Sequence, residues 1–332
     1  MEVGYHRRRF ETTVFDTLYL GGGTPSLLEV GDSERLFNLL RENFRFKNGA
    51  EVTLEANPGD VDARKAALYK KLGVTRVSLG AQSFNDATLE AINRTHRAQD
   101  TLRSFNVLRE AGFANLSLDL MLALPGEDLD AVGKSVTELL RLGPEHVSVY
   151  ELTVEEKTVF GRLSREGKLR LPDETLQTQM LGFTRRTLKE AGYRHYELLN
   201  YARPGFESRH NLLYWANAEY LGLGPGAFSY FGGRRFRYSA DVDGYFSKIK
   251  EGDWSAHETE TLTPEKKEVE SLLLALRLIE GADAARFKSL MQRSAGRIED
   301  LKAKGLLETV GARLRLSERG QFLAETVFAE LS

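Results

Sequence analysis

Five short stretches carry polar groups where a parallel α/β protein keeps its ligands. Gly21-Gly22-Gly23-Thr24-Pro25 follows the apolar run 13–20, and Glu55 closes EVTLE (51–55) with Asn57-Pro58-Gly59 just beyond. Gln82 follows TRVSL (75–79), Asp119 lies within LSLDLML (116–122), and Tyr150-Glu151 end a fifth run. Three glycines remove Cβ atoms, so backbone N–H and C=O groups can meet an amino or carboxylate group closely. Glu55 and Asp119, acidic residues on apolar strands, suit the vicinal hydroxyls of a ribose. Arg94, twelve residues beyond Gln82, offers a fork that clamps a carboxylate bidentately. A nucleoside carrying an amino-acid tail matches this set. Taken singly, each group has a plainer account: a tight turn for GGGTP, buried structural carboxylates for Glu55 and Asp119, an exposed ion pair for Arg94. What favours a ligand is convergence, because in parallel sheets and barrels the carboxyl ends of the strands share one rim.

A second cluster is His210-Asn211-Leu212-Leu213-Tyr214-Trp215. His210 and Tyr214 are four apart, so on a helix they share a face. Neutral imidazole is a common axial ligand to haem iron, and Tyr and Trp could flank a flat macrocycle. Alone, the cluster reads first as an aromatic core patch with one satisfied histidine. His6, His96, His146, His195 and His257 lack metal-ligand spacing and read as structural or exposed. Arg7-Arg8-Arg9 reads as a solvated basic run, and Pro125-Gly126 as turn punctuation.

The elements that must position these groups alternate. Strands are expected at 13–20, 51–55, 75–79, 116–122, 147–152 and 196–199. Helices are expected at 32–44, 61–72, 86–92, 101–111, 129–142 and 175–191, each with apolar residues at helical spacing. This rhythm favours a parallel sheet covered by helices, as an open or closed barrel. Residues 200–250, rich in Gly and aromatics, read as loops and short strands. After Thr263-Pro264, three helices (265–280, 282–291, 296–304), a hairpin (306–310 and 313–316) and a last helix (317–331) read as winged-helix-like. The expected division is a barrel domain with its Gly/aromatic extension, 1–255, and an α-rich domain, 256–332.

Composition bounds the function. The 332 residues include 41% hydrophobic and 28% charged, ordinary for a globular protein, and carry a net charge of −2. That is no nucleic-acid signature, so a DNA-binding use of the arginines in Arg313–Arg319 is disfavoured and no nucleic-acid partner is expected. The longest nearly apolar stretch, Ser271–Leu276, falls far short of the roughly 20 residues that span a bilayer. No charged-then-apolar leader opens the chain; the expected location is cytoplasmic, with membrane association only through a partner. There is no cysteine, which excludes disulfides, thiol nucleophiles and thiolate-held iron–sulfur clusters within these residues.

GGGTPS, LEANP, LGAQSF, NRTHRA, LDLMLALPGE and HNLLYW, in this order and spacing, closely resemble the radical S-adenosylmethionine haem chaperones, relatives of oxygen-independent coproporphyrinogen III oxidase. HNLLYW is similar to the haem-binding motif that separates the chaperones from the oxidases. The resemblance implies a partial (β/α)6 radical-SAM-type barrel followed by a C-terminal helical domain. It implies that Gly21, Gly22 and Gly23, with Thr24 in the same motif, contact the methionyl end of S-adenosylmethionine. It further implies that Glu55, Gln82, Arg94 and Asp119 are contacts to that ligand and that His210 binds haem. Implied cofactors are haem, S-adenosylmethionine and a [4Fe–4S] cluster; implied partners are haem-accepting proteins.

Two departures from the family matter. Its CxxxCxxC loop and first barrel strand lie upstream of the glycine motif, whereas here Gly21 is preceded by only twenty residues. The first strand is therefore expected to be missing and the 13–20 strand to be the family's second; either the true start codon lies upstream of Met1, or the chain is a fragment or a cluster-less descendant. Without the cluster, reductive cleavage of S-adenosylmethionine is not expected. Phe228, in GPGAFSY, replaces a histidine that relatives usually carry. The expected function is a haem chaperone in preference to a coproporphyrinogen oxidase, with enzyme activity left open and a coproporphyrinogen III oxidase-like radical enzyme as the alternative when a cluster-binding segment is present.

Overall fold

The computed structural model describes all 332 residues. A short helix α1 (Glu2–Arg7) precedes strand β1 (Val14–Leu20), helix α2 (Val30–Asn43) and strand β2 (Arg45–Ala56). Then follow α3 (Ala63–Lys71), β3 (Arg76–Gln82), α4 (Asp86–Ala91), α5 (Ala98–Glu110), β4 (Leu116–Leu122), α6 (Leu129–Leu142) and β5 (His146–Glu151). α7 (Val159–Arg165), α8 (Glu174–Glu190), β6 (Arg194–Glu197) and β7 (Asn200–Ala202) complete this part. By internal contacts the chain forms two compact units. One comprises Thr17–Glu34 and Glu51–Glu207; the other comprises Met1–Asp16, Arg35–Ala50 and Ser208–Ser332.

The seven strands form one curled sheet in the order β1-β2-β3-β4-β5-β7-β6. β2 through β5 run parallel in sequence order. Every residue of β3 is buried, as expected of a parallel strand covered on both faces. The expected barrel is thus a half-barrel with β1 at one edge. Its far end departs from a βα repeat, because β7 pairs antiparallel with β5, and β6 with β7. The single strand expected at 196–199 is therefore two, turning at Leu198-Leu199. His195 Nε2 meets the Leu198 carbonyl at 3.2 Å, and the Asn200 side chain donates to Glu197 across that turn. β2 begins six residues earlier than expected. Its first half is mostly exposed and contains Asn48-Gly49, a turn signal, with Gly49 at φ +71°. α6 spans the expected residues, with Asp128 accepting from Ala131 N–H at 2.8 Å and Gly143 left-handed at its end.

At the Pro125-Gly126 turn, Glu127 is 5% exposed and its Oε2 accepts from the Leu124 N–H at 3.2 Å. Burial pushes this carboxyl up to about 7, against the backbone N–H bonds that favour its ionised form. A folded-state value above the ordinary one stabilises at low pH, and that stability is lost as pH rises through about 7. Glu127→Gln removes the dependence. Relative to wild type, the variant should gain about 2 to 3 kcal/mol between pH 4.5 and 8. Urea unfolding at the two pH values checks this, and a stability difference that does not move with pH refutes it.

The other unit continues with α9 (Arg209–Trp215), β8 (Phe228–Phe231), β9 (Arg234–Arg237), α10 (Val242–Glu251), β10 (Glu258–Thr261) and α11 (Pro264–Ala275). β11 (Ala282–Asp283), α12 (Lys288–Arg293), α13 (Ala295–Ala303), β12 (Leu307–Val310), β13 (Arg313–Leu316), α14 (Glu318–Phe322) and α15 (Ala324–Leu331) end the chain. The hairpin is as expected, but its sheet has the order β11-β13-β12. The helix expected at 282–291 is instead a strand, a turn and a short helix. Gly281 explains the start, since a Cβ there would lie 2.3 Å from the Leu314 carbonyl oxygen, and only glycine lets β11 approach β13 so closely. Asp283 then accepts from Ala285 N–H at 2.9 Å, a local turn in place of a helix. The last expected helix breaks at Leu323, between α14 and α15.

The N-terminal segment is more than a solvated basic run. Arg7, Arg8 and Arg9 are exposed, yet the Arg9 guanidinium lies 5.1 Å over the Phe231 ring. Glu2 is buried, and its Oε2 accepts from Gly224 N–H at 2.8 Å and Tyr245 Oη at 2.7 Å. No helix is long and apolar enough to cross a membrane.

Candidate functional site

At the end of β1, Tyr19 Oη donates to Glu55 Oε1 at 2.7 Å, and Gly22 N–H donates to Glu55 Oε2 at 3.2 Å. The GGG turn thus grips a carboxylate presented by the end of β2. Gly21 is required at this grip: a Cβ there would lie 2.6 Å from the Tyr19 ring and 2.7 Å from the Glu55 carboxyl. Burial, reinforced by the Glu55 charge, pushes the Tyr19 phenol far up, so it remains a donor. Gly22 sits at φ +79°, a conformation that costs other residues roughly 1–2 kcal/mol.

A cleft of about 180 Å³ opens beside this grip. Of the residues expected from sequence, it is lined by Gly23, Thr24, Glu55, Gln82 and Arg94. Gln82 is the least ordinary of these. It has φ +62°, is 7% exposed, and its Oε1 is buried without a hydrogen-bond partner. A strained backbone and an unmatched buried oxygen each cost of order 1–3 kcal/mol, and both belong to a residue that lines the cleft. Gly80 makes room for the side chain, since a Cβ there would sit 3.0 Å from Gln82 Nε2. Arg94 donates to Asn57 Oδ1 at a long 3.4 Å.

Asp119 is not among the lining residues; it joins through Ser78, which lines the cleft and donates to Asp119 Oδ1 at 3.0 Å. Burial pushes the Asp119 carboxyl up, opposed by hydrogen bonds from Ser148 and Ser78. Gly21 and Gly22 act through Glu55 and do not line the cleft themselves. Sequence reasoning missed Tyr19, Ser78 and Gly80. Gly80 carried a signal, because glycine inside a strand marks a close approach; Tyr19 and Ser78 read as ordinary strand residues.

His210 lies in the other unit, on α9, which Ser208 caps by accepting from Asn211 N–H at 3.3 Å. No residue of α9 is buried, so HNLLYW is not the core patch that its composition allowed. His210 Nε2 and Tyr214 Oη are 3.2 Å apart, with the rings edge to face at 4.8 Å between centroids. The Arg277 guanidinium lies 4.6 Å over the Trp215 ring, whose Nε1 is buried without a partner. Phe228 is half-exposed, with the Arg237 guanidinium 4.9 Å over its ring.

Glycine-lined strand ends at the rim of a parallel half-barrel define the class. The Radical SAM superfamily matches residues 7–139 and the HemN C-terminal domain matches residues 262–323, so the chain is a member of the radical SAM superfamily. Within it, the chain belongs to the heme chaperone HemW family. It is 37% identical over 318 residues to Heme chaperone HemW of Bacillus subtilis (strain 168), covering 94% of this chain and 84% of that protein. It is 36% identical over 325 residues to the Lactococcus lactis protein of the same name, covering 96% of this chain and 85% of that one. Among solved structures, coproporphyrinogen III oxidase (HemN) from Escherichia coli, a radical SAM enzyme, matches with a TM-score of 0.87. That match covers 99% of this chain and 80% of the other at 22% identity, a likeness of fold. Family and fold are those that the sequence motifs led one to expect.

Proposed function

We propose that this chain binds haem through α9 and passes it to haem-accepting proteins. Membership of the heme chaperone HemW family supports this reading. The observation that carries it is the half-buried imidazole of His210 on a helix with no buried residue, with Tyr214 against it. A cargo site must be reachable by both haem and acceptor, a requirement that a helix with no buried residue suits. When bound, haem supplies an iron with an open axial position, for which neutral imidazole is a suitable ligand.

The cleft of the other unit is proposed to receive the polar part of S-adenosylmethionine. Its volume of about 180 Å³ is below the roughly 300 Å³ of a typical small-molecule pocket, so it accommodates only part of such a ligand. The unmatched Gln82 Oε1 and the glycine turn around Glu55 suit hydroxyl and amino donors. Asp119, behind Ser78, is proposed to support the same ligand. The third implied group does not fit these residues. There is no cysteine, and no three His, Cys, Asp or Glu side chains converge to hold a metal. These residues therefore do not hold an iron–sulfur cluster. The division at 255/256 is likewise our proposal, supported by the HemN C-terminal match beginning at residue 262.

The test is direct. Purified chain titrated with ferric haem should give a saturable Soret band, and mixing with an apo-haem protein should move the band to the acceptor. Incubation with iron and sulfide should add no iron–sulfur charge-transfer absorbance. Absence of a saturable Soret change overturns the chaperone reading.

A further inference from the structure

We propose that Tyr214 is a latch on His210, holding the ring nitrogen that haem iron must take and so keeping the cargo exchangeable. The inference rests on the haem-binding reading above and concerns how tightly that site holds.

Tyr214 Oη meets Nε2, the outer nitrogen of His210, at 3.2 Å. If Nε2 is unprotonated, the phenol donates to its lone pair; if it is protonated, it has no lone pair to give. In either tautomer Nε2 is engaged, and iron can take it only after the contact opens. This differs from the usual support of a metal-ligating histidine, in which a partner holds the nitrogen opposite the metal.

The phenol is braced against swinging away. Its ring stands edge to face on Tyr220, with centroids 4.7 Å apart. Tyr220 is fixed in turn to Tyr230 by reciprocal backbone bonds, Tyr220 N–H to Tyr230 C=O at 2.8 Å and the reverse at 2.9 Å. Tyr230 is 0% exposed. Tyr214 and His210 share one seven-residue helix with no buried residue, and the latch is steadied from outside that helix by Tyr220 and Tyr230. A phenol carries a proton that it can donate, as the contact with an unprotonated Nε2 requires. A chaperone that must release its cargo gains from such a competitor, because the vacated imidazole regains a partner when haem leaves.

Tyr214→Phe removes the hydroxyl and keeps the ring on Tyr220. Ferric haem should then bind about 2- to 10-fold more tightly, the range one net hydrogen bond carries, with a correspondingly slower transfer to an apo-haem protein. In a His210→Ala background the same substitution should change nothing, since the latch acts through the imidazole. Histidine ¹⁵N NMR of the haem-free chain gives an independent readout: the His210 Nε2 signal should shift between wild type and Tyr214→Phe. Unchanged or weaker haem binding by Tyr214→Phe, an effect that persists without His210, or an unmoved Nε2 signal each overturns the latch. Failure of the wild-type chain to bind haem at all is a different result; it defeats the site reading and leaves the NMR comparison standing.

Discussion

His210→Ala is expected to lower ferric haem affinity on the order of 100-fold or more and to shift the Soret band. Removing an outer partner of a metal ligand typically costs 10- to 100-fold, and removing the ligand itself should cost at least as much. The neighbouring aromatic residues of α9 offer no replacement of the same chemistry. Tyr214 keeps its proton, and Trp215 Nε1 is only a donor. The fold should survive, because no residue of α9 is buried and Ser208 still caps the helix. Spectrophotometric titration of wild type and variant, with thermal unfolding as a control for integrity, decides the matter. Equal affinity with an unchanged Soret band would remove His210 from the site.

Much of this architecture could be read in advance, for a physical reason that also explains the misses. Buried parallel strands are short apolar runs that carry their own signal, and β4 and α6 fell on the expected residues. The polar groups at their carboxyl ends were legible for the same reason, since Glu55 and Gln82 are placed by register. What could not be read depended on distant contacts. β11 exists because Gly281 lets the chain touch β13, and the first half of β2 is polar and mostly exposed. α1 is held by Glu2 against a loop more than two hundred residues away. The strain at Gln82 was equally hidden, because a glutamine at φ +62° follows no local rule. Tyr19 and Ser78 escaped notice because their roles, gripping Glu55 and Asp119, appear only when neighbouring strands are side by side.

The glycine turn supplies a test that separates folding from binding. In Gly21→Ala the new methyl would stand 2.6 Å from the Tyr19 ring and 2.7 Å from the Glu55 carboxyl, closer than carbon atoms tolerate. Room can be made only by parting Tyr19 from Glu55, whose 2.7 Å bond is the heart of the grip. Overpacking together with a lost hydrogen bond to a charged group should cost about 3 to 5 kcal/mol. Gly23→Ala differs: a Cβ there has nothing of the protein within 4 Å. Stability should therefore remain within about 0.5 kcal/mol of wild type. Yet Gly23 lines the cleft, so its methyl would occupy space that an adenosyl ligand needs. Saturation-transfer NMR with S-adenosylhomocysteine, suited to the weak binding expected here, should show a signal for wild type and none for either variant. Loss of binding in the stable Gly23→Ala protein would locate the ligand at the turn, because no folding defect could account for it. Undiminished binding by Gly23→Ala would remove the GGG turn from the ligand site. A Gly21→Ala protein as stable as wild type would show that the grip on Glu55 does not form.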